Sequence, residues 1–169
     1  IESRSELVQN TKNLASELKF DRMSFINSEI ADSKKLILKN VDMVTALHAC
    51  DTATDDAIRF GLDVKAKYMF LVPCCQAEIS RHLRTNKAES LKKPLAELWR
   101  HGIHTVEMGS HLTNVLRCLL LESQGYKVTV TELVGWEHSM KNELIIAEYI
   151  GIKKGNANER INNILEEFN

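Results

Sequence analysis

Two prolines and seven glycines are all that punctuate a chain of 169 residues, and it has no low-complexity linker and no internal repeat. That scarcity argues against modules strung on loops. A single domain over 1–169 is expected, long enough to bury roughly 70% of the surface its unfolded chain exposes. Long apolar runs are missing as well. Stretches such as "YMFLVPCC" fall far short of the ~20 residues a membrane-spanning helix needs, so no membrane partner is expected. Excess charge of one sign is also lacking: the net charge of -1 and pI near 6.7 give no electrostatic footprint for nucleic acid or anionic lipid. A local basic patch can still sit inside a neutral total. The opening "IESRSELV" has neither a starting methionine nor a signal-peptide pattern, and further residues upstream are expected. Cys50, Cys74, Cys75 and Cys118 include an adjacent pair, a poor disulfide framework. Reduced thiols in a cytoplasmic protein are the expectation.

What is present is ordinary in amount, with 44% hydrophobic and 27% charged residues, as in soluble globular proteins. Its order is more informative. Residues 5–18 put Leu7, Val8, Leu14, Ala15 and Leu18 at helical spacing, with Ser5 as N-cap. "MSFINSEI" alternates as a strand, and "VDMVTALH" is a β-branched apolar run expected to be buried on both faces. "TATDDAIRFGL" reads as a helix with a Thr52–Asp55 capping box, and "AKYMFLVPCC" as a buried strand stopped at Pro73. A charged, mostly helical stretch runs from Gln76 to about Arg100. An amphipathic helix follows over 104–124, with Val106, Met108, Leu112, Val115, Leu116, Leu119 and Leu120 mostly on its buried side. "YKVTVTELV" and "NELIIAEYIG" suggest an antiparallel hairpin, and "NANERINNILEEF" a closing helix. Strands alternating with helices imply an α/β sheet, mostly parallel, whose ligand crevice lies at the carboxyl ends of its strands. "HACDTATDD" and "PCCQ" both fall at such ends.

These stretches resemble the class I S-adenosylmethionine-dependent methyltransferases, through "HACDTATD" after a fourth strand, "VPCCQ" after a fifth and a final hairpin as the sixth and seventh. The resemblance covers nearly all of residues 1–151 and implies a Rossmann-like sheet with S-adenosyl-L-methionine as cofactor. On that correspondence Glu2 is the acid ending the second strand, whose carboxylate suits the two hydroxyl donors of the cofactor ribose. Ser28-Glu29, followed by Ile30, stands where the family has its adenine-contacting "G-D" turn. Leu47, His48 and Ala49 would lie under the methionine portion. The first strand and its glycine-rich loop have no counterpart in the chain, which is expected to be the C-terminal two-thirds of such a domain.

The residues allow more than one role. Thr52 and Asp55 can cap a helix, and acids favour its positive N-terminus. Alternatively Asp51 or Asp55 faces the transferred methyl and accepts or orients a proton. Cys74 and Cys75 can be small buried hydrophobes, metal ligands together with His48 and Cys50, or, with Pro73 and Gln76, a substrate-facing wall. The chain offers no convincing ligand set, so no metal is expected. His82, His101, His104 and His111 are read as solvated or locally bonded. Trp99 and Trp136 could stack on a base or pack in core or rim, and the basic residues between 81 and 100 either contact phosphate or form a solvated face. The leading expectation is direct methyl transfer, with RNA ahead of protein or a small molecule as acceptor. The competing one is a noncatalytic α/β module that binds a partner. Upstream sequence ending in a glycine-rich turn would separate the two.

Overall fold

The computed structural model describes residues 1–33, 40–47, 49–74, 76–85, 94–135 and 142–168. The apolar runs become the strands β1 (Met43–Leu47), β2 (Tyr68–Val72), β3 (Tyr126–Glu132) and β4 (Glu143–Tyr149), which form one sheet in the order β1-β2-β4-β3. The helices are α1 (Ser5–Glu17), α2 (Ile30–Ser33), α3 (Thr52–Asp63), α4 (Glu78–Thr85), α5 (Gly102–Ser123) and α6 (Ala157–Glu167), with a 3-10 turn at Pro94–Trp99. The α/β class and the antiparallel pairing of β3 with β4 agree with the sequence reading.

The expected mostly parallel sheet needs correcting. Among the four described strands, one pair is parallel, β1 with β2, Met43 opposite Tyr68 and Leu47 opposite Val72. β4 enters between β2 and β3 and runs antiparallel to both. The strand expected at "MSFINSEI" is reduced to one parallel bridge between Asn27 and Glu2. β1 is not buried on both faces either. Val44 and Ala46 point into the core, whereas Met43 is 51% and Leu47 64% exposed at the sheet edge.

One face of the sheet carries the core. Val44, Ala46, Met69, Leu71, Ile145 and Ala147 meet Ala57, Ile58 and Phe60 of α3 and Leu121 of α5. Burial of these side chains, each worth about 1.5–3 kcal/mol for the larger ones, sets α3 and α5 on that face. The N-cap of α1 is Arg4 and not Ser5, and of the apolar stripe expected in α1 only Ala15 is buried. In α5, Leu112 and Leu119 are buried as expected, but Val106, Val115 and Leu120 are exposed. Asn114 and Arg117 take places on the buried side. At the end of α5, Gly125 adopts φ +93°, a left-handed turn that closes the helix and leads into β3.

α4 crosses α5 closely at Gly109, where an added Cβ would lie 2.7 Å from the Ser80 backbone nitrogen. Backbone cannot yield as a flexible side chain can. Gly109→Ala is therefore expected to destabilise the protein by about 1–3 kcal/mol, the usual range for overpacking, as measured by urea unfolding. An unchanged midpoint would mean that α4 does not seat on α5 in this way.

Candidate functional site

Three segments converge beyond the carboxyl ends of β1 and β2. The first follows β1: Ala49 is half-buried against the core, Cys50 is exposed, and Asp51 is the N-cap of α3 with φ 51° and ψ -122°. No side-chain hydrogen bond caps α3. Thr52 and Asp55 therefore do not form the expected capping box. Thr54 instead donates its hydroxyl to the Ala49 carbonyl at 2.6 Å, bracing the turn from within the helix. The second segment follows β2, where Pro73 is buried, Cys74 half-buried and Gln76 8% exposed.

The third segment is α5, and it supplies what joins the other two. The Arg117 side chain is 4% exposed and pairs with Asp55, whose side chain is 45% exposed. Arg117 Nε and Nη2 donate to Asp55 Oδ1 and Oδ2, each at 2.7 Å, a bidentate pair. Nη2 also donates to the Asp51 carbonyl at 3.1 Å, and Nη1 to Asn114 Oδ1 at 3.1 Å. Gln76 Nε2 donates to that same Asn114 oxygen at 2.9 Å. One continuous network thus runs from α3 through α5 to the segment after β2. Sequence reading missed Arg117 and Asn114. The available signal was two polar residues three apart inside an otherwise apolar helical stretch.

The Asp51 carboxylate is held more loosely. Its oxygens accept from the Ala77 backbone N–H and from Arg81 Nη2, both at 3.4 Å. Asp51, Asp55, Gln76 and Arg117 line a cleft of about 330 Å³, whose apolar wall includes Ile79, Leu116 and, from α6, Leu165. That volume suits a small ligand. The Cys50 and Cys74 sulfurs, on the segments that follow β1 and β2, are 3.3 Å apart. His48 and Cys75 lie outside the described residues, as does Trp136. Trp99 is buried against Phe168, with ring centroids 5.2 Å apart, so its indole belongs to the core and offers no stacking surface. His82, His101, His104 and His111 are exposed. Among the described residues no three His, Cys, Asp or Glu side chains are grouped to hold a metal ion.

A second group forms near the N-terminus. The bridge between Glu2 and Asn27, closed by Glu2 N–H to the Ile26 carbonyl at 3.1 Å and Ser28 N–H to the Glu2 carbonyl at 3.2 Å, sets Glu2 beside the Ser28-Glu29 turn. Glu29 is exposed, and Ile30 packs, half-buried, against the same core as Ala49. Arg4 donates Nε and its backbone N–H to Glu2 Oε1. The side-chain hydrogen bond from Arg4 lowers the Glu2 carboxyl from its ordinary 4.5 to about 2.

A family model described as a methyltransferase domain matches residues 1–82, just under half of the chain. The match supports a methyltransferase family. It spans the Glu2 group, β1, α3, β2 and the start of α4, so both polar groups draw most of their residues from the matched part. No curated protein and no solved structure gives a significant match.

Two tests follow from this geometry. Removing Asp55 strands a buried guanidinium, whereas removing Arg117 leaves a half-exposed carboxylate that water can reach. Asp55→Ala should therefore approach the about 3–5 kcal/mol of a broken buried pair. Arg117→Met should lie nearer the about 1–3 kcal/mol of unpaired polar groups. Chemical denaturation giving the reverse order would contradict the buried placement of Arg117. For Glu2 the folded value lies below the ordinary one, so its tie to Arg4 is fully present above pH 4.5 and lost as pH falls through about 2. Carboxyl carbon shifts followed by NMR should show Glu2 titrating near the lower value, and near the upper one in Arg4→Ala.

Proposed function

We infer that the protein carries out S-adenosyl-L-methionine-dependent methyl transfer of the class I type in the cleft beyond β1 and β2. Asp51 carries the reading. An ordinary N-cap residue lies in the extended region, yet Asp51 sits at φ 51° and ψ -122°, a conformation that costs an L residue on the order of 1–3 kcal/mol. The buried Arg117 holds that peptide by its carbonyl, and the strained acid stands on the rim of a ligand-sized cleft. Strain retained at an acid in a cleft, within a stretch matching a methyltransferase domain, supports a catalytic role over a capping one.

The residues present fit the cofactor. An ionised Glu2 suits a ribose diol, the Glu29-Ile30 turn lies beside it, and Ile30 and Ala49 offer apolar surface. His48 is assigned to the same set by the family resemblance alone. When bound, the cofactor supplies a methyl group on a positively charged sulfonium. The Asp51 carboxylate, which accepts at 3.4 Å from Ala77 and Arg81, accepts a proton from the attacking nucleophile or orients it. Asp55, with both oxygens on Arg117, keeps the Asp51 peptide in place. Gln76, which lines the cleft, and the preceding Pro73 and Cys74 belong to the segment facing Asp51, which with it aligns the acceptor and excludes water. RNA remains the favoured acceptor class over protein or a small molecule, supported by exposed Arg81 and Arg84 on α4, the former beside Asp51. Among the described residues no helix is long and apolar enough to cross a membrane.

Binding of S-adenosyl-L-methionine measured by calorimetry, and transfer of labelled methyl to RNA, test the reading. Asp51→Gly removes the acid and relieves the backbone together. It should leave thermal stability unchanged or raised while methyl transfer falls at least about a hundredfold. Full activity in Asp51→Gly, or no cofactor binding by the native protein, would overturn the assignment.

A further inference from the structure

Neither the Cys50 nor the Cys74 thiol exchanges a proton or a methyl group in the transfer outlined above, and their placement has a chemistry of its own. Both follow the ends of the parallel pair β1 and β2, whose last residues, Leu47 and Val72, stand opposite each other. Cys50 lies three residues beyond one end and Cys74 two beyond the other, which brings their sulfurs to 3.3 Å. A disulfide needs a further approach of only about 1.3 Å. Cys50 is exposed and Cys74 half-buried, so a small oxidant can reach the pair. Cys118 differs: burial in α5 pushes its thiol up to about 11, leaving little thiolate to react.

We propose that Cys50 and Cys74 are a reversible modification site, closed to a disulfide by a peroxide oxidant and reopened by a thiol reductant. The Cys50 thiolate attacks one peroxide oxygen, the O–O bond breaks, hydroxide leaves, and Cys50 becomes a sulfenic acid. The Cys74 sulfur then attacks the Cys50 sulfur, forming the S–S bond and releasing the sulfenic oxygen as water. Two thiols lose two electrons and two protons, and one hydrogen peroxide becomes two waters. The bond ties the segment carrying Asp51 to the one carrying Gln76, the two walls of the cleft. This inference does not depend on the methyltransferase reading.

Purified protein treated with hydrogen peroxide, then mapped by mass spectrometry without reduction, tests it. The oxidised chain should weigh less by two hydrogens, with residues 50 and 74 in one cross-linked peptide that dithiothreitol separates. The link should be lost in Cys50→Ser and Cys74→Ser and kept in Cys75→Ser. Its unfolding midpoint should rise on oxidation and fall back on reduction, because the closed loop restricts the unfolded chain. The proposal fails if Cys50 accumulates as sulfinic acid or a single-site adduct without cross-linking. It also fails if the link survives in Cys74→Ser, or if stoichiometric zinc in the native protein blocks both thiols. Peptide mapping of the native chain decides the matter even where a serine variant does not fold.

Discussion

One guanidinium holds the candidate site together. Arg117 reaches from α5 to the start of α3, takes both oxygens of Asp55, anchors the Asp51 carbonyl and shares Asn114 with Gln76. A side chain so buried must satisfy its donors inside the protein, because an uncompensated charge there is strongly destabilising. Its partners are thereby fixed to the geometry of the fork, whose planar donors match a carboxylate as a lysine ammonium would not. The position of the segments after β1 and β2 depends on this one arrangement.

That dependence divides two of the three acids of "DTATDD", Asp51 and Asp55. By residue type they are interchangeable, and both fall near a helix N-terminus. The fold makes Asp55 a structural partner with two short bonds and leaves Asp51 loosely bonded on a strained peptide. Strain of this kind persists only where the surroundings over-determine it. Here they do so through the Arg117–Asp51 bond and the Thr54 hydroxyl on Ala49.

The sheet shows a related division. β1 and β2 run parallel and deliver two polar segments to the same end, while the β3–β4 hairpin closes the far side. Because β4 lies between β2 and β3, local alternation could reveal the hairpin but not its insertion. Which strand neighbours which is a property of crossover connections and not of any strand's own residues.

By itself the sequence determined the α/β class, β1, β2 and their polar ends, α3, the long helix α5 and the terminal hairpin. Each has a local physical cause: β-branched apolar runs, helical spacing of apolar residues, or a proline that stops a strand. Only the tertiary structure decided that Glu2 lies beside Ser28-Glu29, that Cys50 meets Cys74, and that Trp99 belongs to the core. It alone decided that Asp55 binds Arg117, a residue 62 positions away. Such contacts join residues far apart in the chain, and no periodicity records them. Arg117 in particular looks like a solvated charge on α5 until the helix is docked, because burial depends on what packs over a side chain as well as on what the side chain is.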